Sequence, residues 1–241
     1  MNSRFGKFLC LLALPLIVAP AMGAKKTAAP APAVATPARE YDFRGTALGV
    51  SLADFVKLPF PDADLPQGKV VCSSDPNLDS YKGIDLSLSP YEKAASVTKC
   101  AYFSESTVSA GYWAPAVVRV GTSGFSTFDL TYSFVVDPRD HVSKLYSIIY
   151  RMVNLAAPTT LTGLQEKFGV PTSLKSDTVQ NGAGANFPRT TALWVNPLST
   201  LLFQSPFGEL NQMAVVYNET RLTAYVVGVK EKIQGPESSK L

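Results

Sequence analysis

Hydrophobic and polar residues alternate with a period of two in many short segments after residue 40. The clearest segment is 126–136, in which apolar and polar side chains take turns: Phe128, Leu130, Tyr132 and Phe134 alternate with Thr127, Asp129, Thr131 and Ser133. This alternation predicts an antiparallel strand with one buried and one solvated face. Further strands are predicted at 68–72, 96–104, 116–121, 144–153, 191–196, 199–205, 213–219 and 222–232, with a turn at 137–140.

Helical spacing replaces this alternation between residues 159 and 171. The apolar residues that fall on one helical face there are Leu161, Leu164 and Phe168. Thr160, or its neighbour Thr159, is predicted to cap the start of this helix, and Gly169 followed by Pro171 is predicted to end it. One helix among many strands predicts an α+β fold, with a mostly antiparallel sheet and few short helices.

A shorter helix is predicted after Gly49-Val50-Ser51, with Phe55 one turn beyond the serine. Ser51 is predicted to cap it, because a hydroxyl at that position accepts a hydrogen bond from a backbone N–H that otherwise has no partner. The order of a hydroxyl cap, an apolar residue one turn later and a terminating proline is shared with the 159–171 segment. This recurrence suggests two related units, each made of a helix and a meander of strands.

The segment from Thr160 to Pro171 resembles a signature of small α+β modules of the bacterial cell envelope, T-x-x-x-(V/L)-x-x-x-(L/F)-G-x-P. These modules include accessory lipoproteins of the outer-membrane barrel-assembly machinery and β-lactamase-inhibitor proteins of related fold. The first segment supplies the preceding G-x-(S/T) of the pattern but has Pro59 where Leu-Gly is expected. The resemblance implies a non-catalytic module that binds other proteins across its sheet, and it implies no particular functional residue.

The N-terminus has the pattern of a signal peptide over residues 1–24. Arg4 and Lys7 precede a short apolar run at 8–18, and small residues suited to cleavage follow at 19–23. An uncleaved N-terminal anchor is the alternative. Residues 25–40 are rich in Ala and Pro and are predicted to be an extended linker. Export to the periplasm or the medium is therefore expected, with no integral membrane span after the signal is removed.

The remaining chain divides into a β-rich part at 41–157, a helix with antiparallel strands at 158–233, and a polar tail at 234–241. Cys72 and Cys100 are the two cysteines that remain after the signal, and an oxidising compartment predicts a disulfide between them. The loop that it closes would give about 3–4 kcal/mol of stability in the chain-entropy model. A reactive or metal-binding pair is the alternative, although no histidine lies near either cysteine.

Charge and motifs limit the possible chemistry. The net charge is +3 and falls to near +1 without the signal peptide, and no basic block alternates with aromatic residues. This composition argues against nucleic acid as a partner. No cofactor is predicted.

The best metal candidate is Asp75, Asn77 and Asp79, a spacing suited to Ca²⁺. The rest of that pattern fails, because Ser80 and Leu86 replace the expected Gly and Glu. Turns capped by Asp and Asn are the alternative. Ser51 also lies in a loose G-x-S-x-A motif, with His141 as the single histidine, but alternating parallel strands and helices are not predicted around it.

Tyr112 and Trp113 form the candidate contact with another protein, because large aromatic residues are enriched at the centres of interfaces. The leading hypothesis is an exported, soluble, non-enzymatic protein that binds another envelope protein in an assembly or accessory role. One alternative is an inhibitor of an extracellular hydrolase that would use residues 73–95. Another is a hydrolase that depends on paired carboxylates.

Overall fold

The computed structural model describes residues 39–62, 68–106, 111–120 and 124–235. The predicted signal peptide, the predicted linker up to residue 38 and the tail from residue 236 lie outside the described residues. The described residues fall within one compact unit. The predicted boundary at 157/158 coincides with the start of a helix, and the parts on either side of it share one sheet.

The described residues contain eleven strands and four α-helices, which confirms an α+β fold with mostly antiparallel sheet. The strands are β1 Asp42–Phe43, β2 Thr46–Ala47, β3 Lys69–Cys72, β4 Val97–Glu105, β5 Trp113–Pro115, β6 Asp129–Val136, β7 Ser143–Val153, β8 Ser173–Gln180, β9 Asn186–Val195, β10 Ser199–Ser205 and β11 Gln212–Glu219. The helices are α1 Leu52–Phe55, α2 Pro90–Ala94, α3 Ala157–Phe168 and α4 Thr220–Gln234. Short 3₁₀ turns lie at Leu78–Ser80 and Asn154–Ala156.

Nine of the strands form one sheet in the order β3-β4-β6-β7-β11-β10-β9-β8, with β5 paired to the C-terminal end of β4. All neighbouring strands are antiparallel. Each half of the sheet starts at an edge and meanders towards the centre, where β7 pairs with β11. A helix precedes each half, α1 before β3 and α3 before β8, which is the predicted pair of helix-and-meander units.

One side of the sheet, here called the core face, packs against α1, α3 and the β1–β2 hairpin. Phe55 of α1 is fully buried, and its ring centroid lies 4.7 Å from that of Tyr132 and 5.0 Å from that of Phe134. Phe43 of β1 contacts Tyr150 with a centroid separation of 5.1 Å. Leu164 of α3 is buried in the same cluster. The large side chains of the core face therefore exclude water from the part of the sheet that lies under α1, α3 and the hairpin.

The other side of the sheet, here called the outer face, is covered over its first half only. Residues 73–96 connect β3 to β4 and fold back onto it, where Leu86 is buried against Val71 and Phe103. Helix α4 packs beside α2 on the same face, with Leu222 and Val226 in contact with the cluster around Tyr146.

This cover changes the predicted pattern of β6. Leu130, Tyr132 and Phe134 are buried on the core face as expected, but Thr131 and Ser133 are also buried. Phe128 was expected to be buried with the apolar set and is 39% exposed. It precedes the first residue of the strand and lines the depression over the outer face.

Two predicted strands are wrong. Residues 222–232 belong to helix α4, in which Leu222, Val226 and Val229 recur at helical spacing and face the outer-face cluster. The β-branched valines favoured a strand, and tertiary packing overrides that weak local preference. Residues 116–120 form a connection with a single bridge at Arg119, and the N–H of Val118 donates to the Thr127 hydroxyl instead of to a neighbouring strand.

Several elements were not predicted, among them β5, β8 and α2. Strand β8 lies at the edge of the sheet and is exposed on both faces, so its sequence lacks the alternation that marks a strand. Helix α2 has five residues, too few for a periodic pattern, although its capping box of Ser89 and Glu92 is present.

The predicted cap at Ser51 is confirmed, and the one at Thr160 is wrong. The Ser51 hydroxyl accepts a hydrogen bond from the N–H of Asp54 at 3.0 Å. Helix α3 begins upstream of Thr160, at Ala157, because Pro158 fits the first helical turn, where a missing N–H costs nothing. Thr160 is therefore an interior helical residue with a buried side chain.

The predicted disulfide between Cys72 and Cys100 is confirmed. The two residues lie directly opposite each other in β3 and β4, with their Cα atoms 4.0 Å apart. Both are buried on the core face. The bond thus joins the edge strand β3 to the interior of the sheet.

A buried carboxylate connects the β6–β7 turn to the start of α4. The side chain of Asp137 is 1% exposed and accepts hydrogen bonds from Arg221 at 2.6 and 2.9 Å and from Lys144 at 3.1 Å. The hydrogen bonds from Arg221, together with those from Arg139 and Lys144, outweigh burial and hold the pKa of Asp137 far below its usual range. The carboxylate therefore stays charged at neutral and mildly acidic pH.

We expect Asp137→Asn to lower the free energy of unfolding by about 2 kcal/mol at pH 7, because charge-assisted hydrogen bonds to a buried group are lost. The folded-state pKa of Asp137 is depressed, so its contribution is complete above the unfolded pKa near 4 and declines as the pH falls. Denaturant titrations at pH 7 and pH 3 should show the difference between variant and parent shrinking in acid. Asp177→Asn is the matched control, because the Asp177 side chain is 51% exposed and little change is expected. An equal effect of both variants would contradict the assigned role of Asp137.

Candidate functional site

The two halves of the sheet differ in what covers their outer faces. In the first half residues 73–96 join β3 to β4 and pack onto that face. In the second half the corresponding strands, β8 and β9, are joined by a tight turn at residues 181–185. Among the described residues, no segment packs onto the outer face of the second half as residues 73–96 pack onto that of the first half. The outer face is therefore left open from β7 to β9, and this region is called the open face below.

Four aliphatic side chains cross the open face as a continuous line, here called the apolar row: Ile149, Val216, Leu202 and Leu193. Each is directly opposite the next on an adjacent antiparallel strand, and each is half-buried. Strands are spaced by about 4.8 Å, so the row is roughly 14 Å long. Directly opposed apolar residues on one face contact each other and form a surface suited to apolar side chains of another molecule.

Mostly polar residues border the apolar row on both sides, with the apolar Ala214 and Val195 among them. One border runs through Arg151, Ala214, Gln204, Thr191 and Lys175 in register, and the other through Ser147, Asn218, Thr200 and Val195. The Ser147 hydroxyl donates to Asn218 Oδ1 at 2.8 Å. An apolar centre with a polar margin is the usual anatomy of a protein–protein interface.

A depression of about 580 Å³ lies where the open face meets the covered half. Ile149 and Val216 of the apolar row lie on its floor, and Glu92, Lys99, Asp129 and Arg151 stand around it. These four charges form two ion pairs, Lys99 with Glu92 at 2.9 Å and Arg151 with Asp129 at 2.7 Å. The site therefore combines a strip of aliphatic side chains with fixed charges of both signs.

The charge of Glu92 is maintained by its surroundings. Burial acts to raise the pKa of this carboxyl, but hydrogen bonds from the Ser89 N–H and from Lys99 outweigh it and lower the pKa overall. The same side chain accepts from Ser89 in the capping box of α2 at 2.8 Å. Glu92 thus serves both the helix and the ion pair at the margin of the depression.

The proposed calcium ligands lie in a different region. Asp75 Oδ2 accepts a hydrogen bond from the Cys72 N–H at 2.9 Å and so stabilises the turn after β3. Asn77 precedes the 3₁₀ turn at Leu78–Ser80, and Asp79 lies within that turn with its side chain exposed. Among the described residues no group of three or more His, Cys, Asp or Glu side chains is arranged to hold a metal ion.

Ser51 and His141, the residues of the loose G-x-S-x-A hypothesis, both stabilise local backbone structure. The Ser51 hydroxyl donates to Asp54 Oδ2 at 2.7 Å while it accepts from the Asp54 N–H, so both of its functions serve the helix cap. His141 is exposed in the β6–β7 turn with a φ of 60°. Its N–H donates to the carbonyl of Asp137 at 2.8 Å, a backbone contact of the turn.

Tyr112 and Trp113 lie near the β3 edge, away from the apolar row. Tyr112 is 53% exposed, whereas Trp113 is half-buried in β5 against Tyr81, with ring centroids 5.9 Å apart. The ammonium of Lys69 lies 5.8 Å from the Trp113 ring centroid. Their role as a protein contact stays a prediction. Trp194 is buried on the core face, as expected, and donates from Nε1 to the Gly169 carbonyl at 2.8 Å.

The apolar row was not recognised from the sequence. A signal for it does exist, since each of its members is followed or preceded by a buried apolar residue of the core face. The pairs Ile148-Ile149, Leu201-Leu202 and Val215-Val216 place apolar side chains on both faces of a strand. Such continuous apolar runs are typical of strands that are covered on both sides. Which of the two sides lacks a cover depends on the fold.

Comparison with protein-family models, with curated proteins and with solved structures returns no match for this chain. Within the described part of the chain, no helix has the length and apolar character needed to cross a membrane.

Leu201 and Leu202 allow a direct test of the two faces, because they are neighbours in β10 with opposite orientations. We expect Leu201→Ala to lower the free energy of unfolding by about 3 kcal/mol, since Leu201 is fully buried and a cavity would remain. Leu202→Ala should cost less than about 1 kcal/mol, because half of its environment is already solvent. Urea titrations of both variants provide the comparison. Equal losses would mean that the open face is covered within the protein itself.

Proposed function

We propose that this protein binds another protein of the cell envelope across the open face, in an assembly or accessory role without catalysis. The supporting observation is the uncovered apolar row, on the half of the sheet where the equivalent region of the other half is covered by residues 73–96. A predicted signal peptide and the disulfide between Cys72 and Cys100 support an exported protein in the periplasm or the medium.

The covered half indicates what kind of surface fits the open half. There, Leu86 and Ile84 pack on Val71 and Phe103, so an irregular segment with spaced apolar residues fills the sheet surface. Complete burial of one aliphatic side chain stabilises by about 1.5–3 kcal/mol. The four half-buried members of the apolar row can therefore contribute only a few kcal/mol, and specific affinity would need the polar margins as well. The ion pairs Lys99–Glu92 and Arg151–Asp129 favour a partner that offers polar groups to charges of both signs.

Inhibition of an extracellular hydrolase is a second candidate function, and one observation supports it. Residues 73–95 are anchored at Leu86 and by the Asp75 turn, while Pro76, Asn77 and Lys82 remain exposed. An exposed loop held rigidly from beneath loses little freedom on binding, which is how preorganised inhibitors gain affinity.

Carboxylate catalysis has less support. A general acid at neutral pH needs a raised pKa. Seven described carboxyl groups have a lowered pKa: Asp42, Asp54, Asp85, Glu92, Asp137, Asp140 and Asp177.

Site-specific photo-crosslinking in cells that export the protein tests the proposal. A photoreactive residue at Leu202 should give one discrete crosslinked product, because that side chain lies in the middle of the apolar row. The same residue at Val170, which is 89% exposed between α3 and β8, is the control and should give none. A product from position 82 alone would favour the inhibitor hypothesis and the 73–95 segment.

A charge reversal should weaken the Leu202 product if the face binds as proposed. Arg151→Glu alters the margin beside the apolar row and repels Asp129, its partner in the ion pair. Thermal unfolding of the purified variant checks that the fold is retained. The proposal fails if position 202 gives no product, or if positions 202 and 170 give the same one.

A further inference from the structure

A cavity of about 180 Å³ opens on the other side of the molecule, between α3 and the core face. Its floor is formed by the aromatic rings of Phe43, Tyr150 and Tyr217, and Leu164 of α3 forms one wall. These four side chains are buried, and the Phe43 and Tyr150 centroids are 5.1 Å apart. The cavity lies behind the sheet relative to the open face, so it is independent of the function proposed above.

The size of the cavity corresponds to one aromatic ring. A dry engineered cavity of about 150 Å³ lined by apolar side chains binds benzene. The walls here are predominantly apolar and aromatic, which favours a planar apolar group by stacking and edge contacts. The buried Thr160 hydroxyl is a polar group among the lining side chains.

Among the described residues, the lining includes two cations, Arg44 and Lys167, and no carboxylate. Lys167 donates to Asp42 at 3.0 Å, and Arg44 lies 3.6 Å from Asp62. Each of these two carboxylates interacts with more than one basic side chain.

The Asp62 carboxylate is shared with Arg119, at 3.2 Å. Burial acts to raise the pKa of Asp42, but hydrogen bonds from Lys167 and Gly45 and the charge of Arg39 lower it overall. Arg44 and Lys167 line the cavity itself, and cationic side chains in a cleft attract an anion.

We propose that this cavity binds a small aromatic carboxylate, with the ring on the tyrosine floor and the carboxylate beside Arg44 and Lys167. The apolar volume accounts for the ring, and the cations account for the charge. The chemistry requires no covalent step and no metal.

Gly163 of α3 offers a way to fill the cavity without disturbing the fold. It lines the cavity, and a Cβ atom built on it would meet no other atom within 4 Å. Gly163→Leu should therefore place its side chain in the empty space and exclude a ligand. Gly228→Leu in α4 is the matched control, because that glycine is also helical and also has no atom within 4 Å of an added Cβ.

Isothermal titration of the purified full chain with 3-phenylpropionate is the test. We expect saturable binding with a dissociation constant on the order of 0.1–1 mM, as suits a ligand of this size. The neutral 3-phenylpropionamide should bind at least about fivefold more weakly, since Arg44 and Lys167 act on the charge. Gly163→Leu should abolish binding, and Gly228→Leu should leave it unchanged.

Lys167→Gln separates the two parts of the proposal. It should weaken binding of the acid about fivefold and leave binding of the amide unchanged, because only the charged group is close to Lys167. The proposal is overturned if the acid shows no saturation by about 10 mM. It is also overturned if Gly163→Leu binds as tightly as the parent protein, or if acid and amide bind equally well. Thermal unfolding of each variant verifies that it is folded.

Discussion

The antiparallel pairing of β7 with β11 holds the two halves of this protein together, and the rest of the structure depends on its register. Val215 is opposite Tyr150 and Tyr217 is opposite Ile148 on the core face, while Val216 is opposite Ile149 on the outer face. Side chains alternate with a period of two, so a slip by one residue would exchange the faces of an entire strand. The same hydrogen-bonded pair thus places the tyrosines under α3 and starts the apolar row on the other side.

The two halves of the outer face differ because the rest of the chain covers only the first of them. The connection between β3 and β4 is long enough to fold back, and it brings Leu86 onto the sheet with α2 following. The tight turn between β8 and β9 cannot do this. Extended apolar surface on a folded protein commonly marks a site of association. The proposed binding function is the consequence of a short connection in one half and a long one in the other.

The buried carboxylate of Asp137 stabilises the boundary between covered and open regions. It fixes Arg221 in the first turn of α4, and Glu219 caps the same helix through the N–H of Leu222. Because the depressed pKa keeps Asp137 ionised, this attachment does not change across the neutral pH range. The start of α4 therefore stays attached to the β6–β7 turn over that range.

Local patterns were sufficient for several elements of this protein. The bounds of β10, the cap at Ser51, the end of α3 at Gly169 and the partnership of Cys72 with Cys100 all follow from residues within a few positions or from the redox chemistry of cysteine. The antiparallel α+β class follows in the same way, since alternation with a period of two requires only a half-buried strand.

Contacts between distant segments decided the remainder. Residues 222–232 are helical because Leu222 and Val226 pack beside α2. Residues 173–180 form strand β8 because β9 pairs with them. Thr160 became an interior residue because α3 starts earlier, at Ala157. Above all, the four residues of the apolar row are visibly apolar in the sequence, but only the fold decides that nothing covers the face on which they lie. Periodicity reports which side chains share a face, whereas the length and path of a distant connection determine whether anything covers that face.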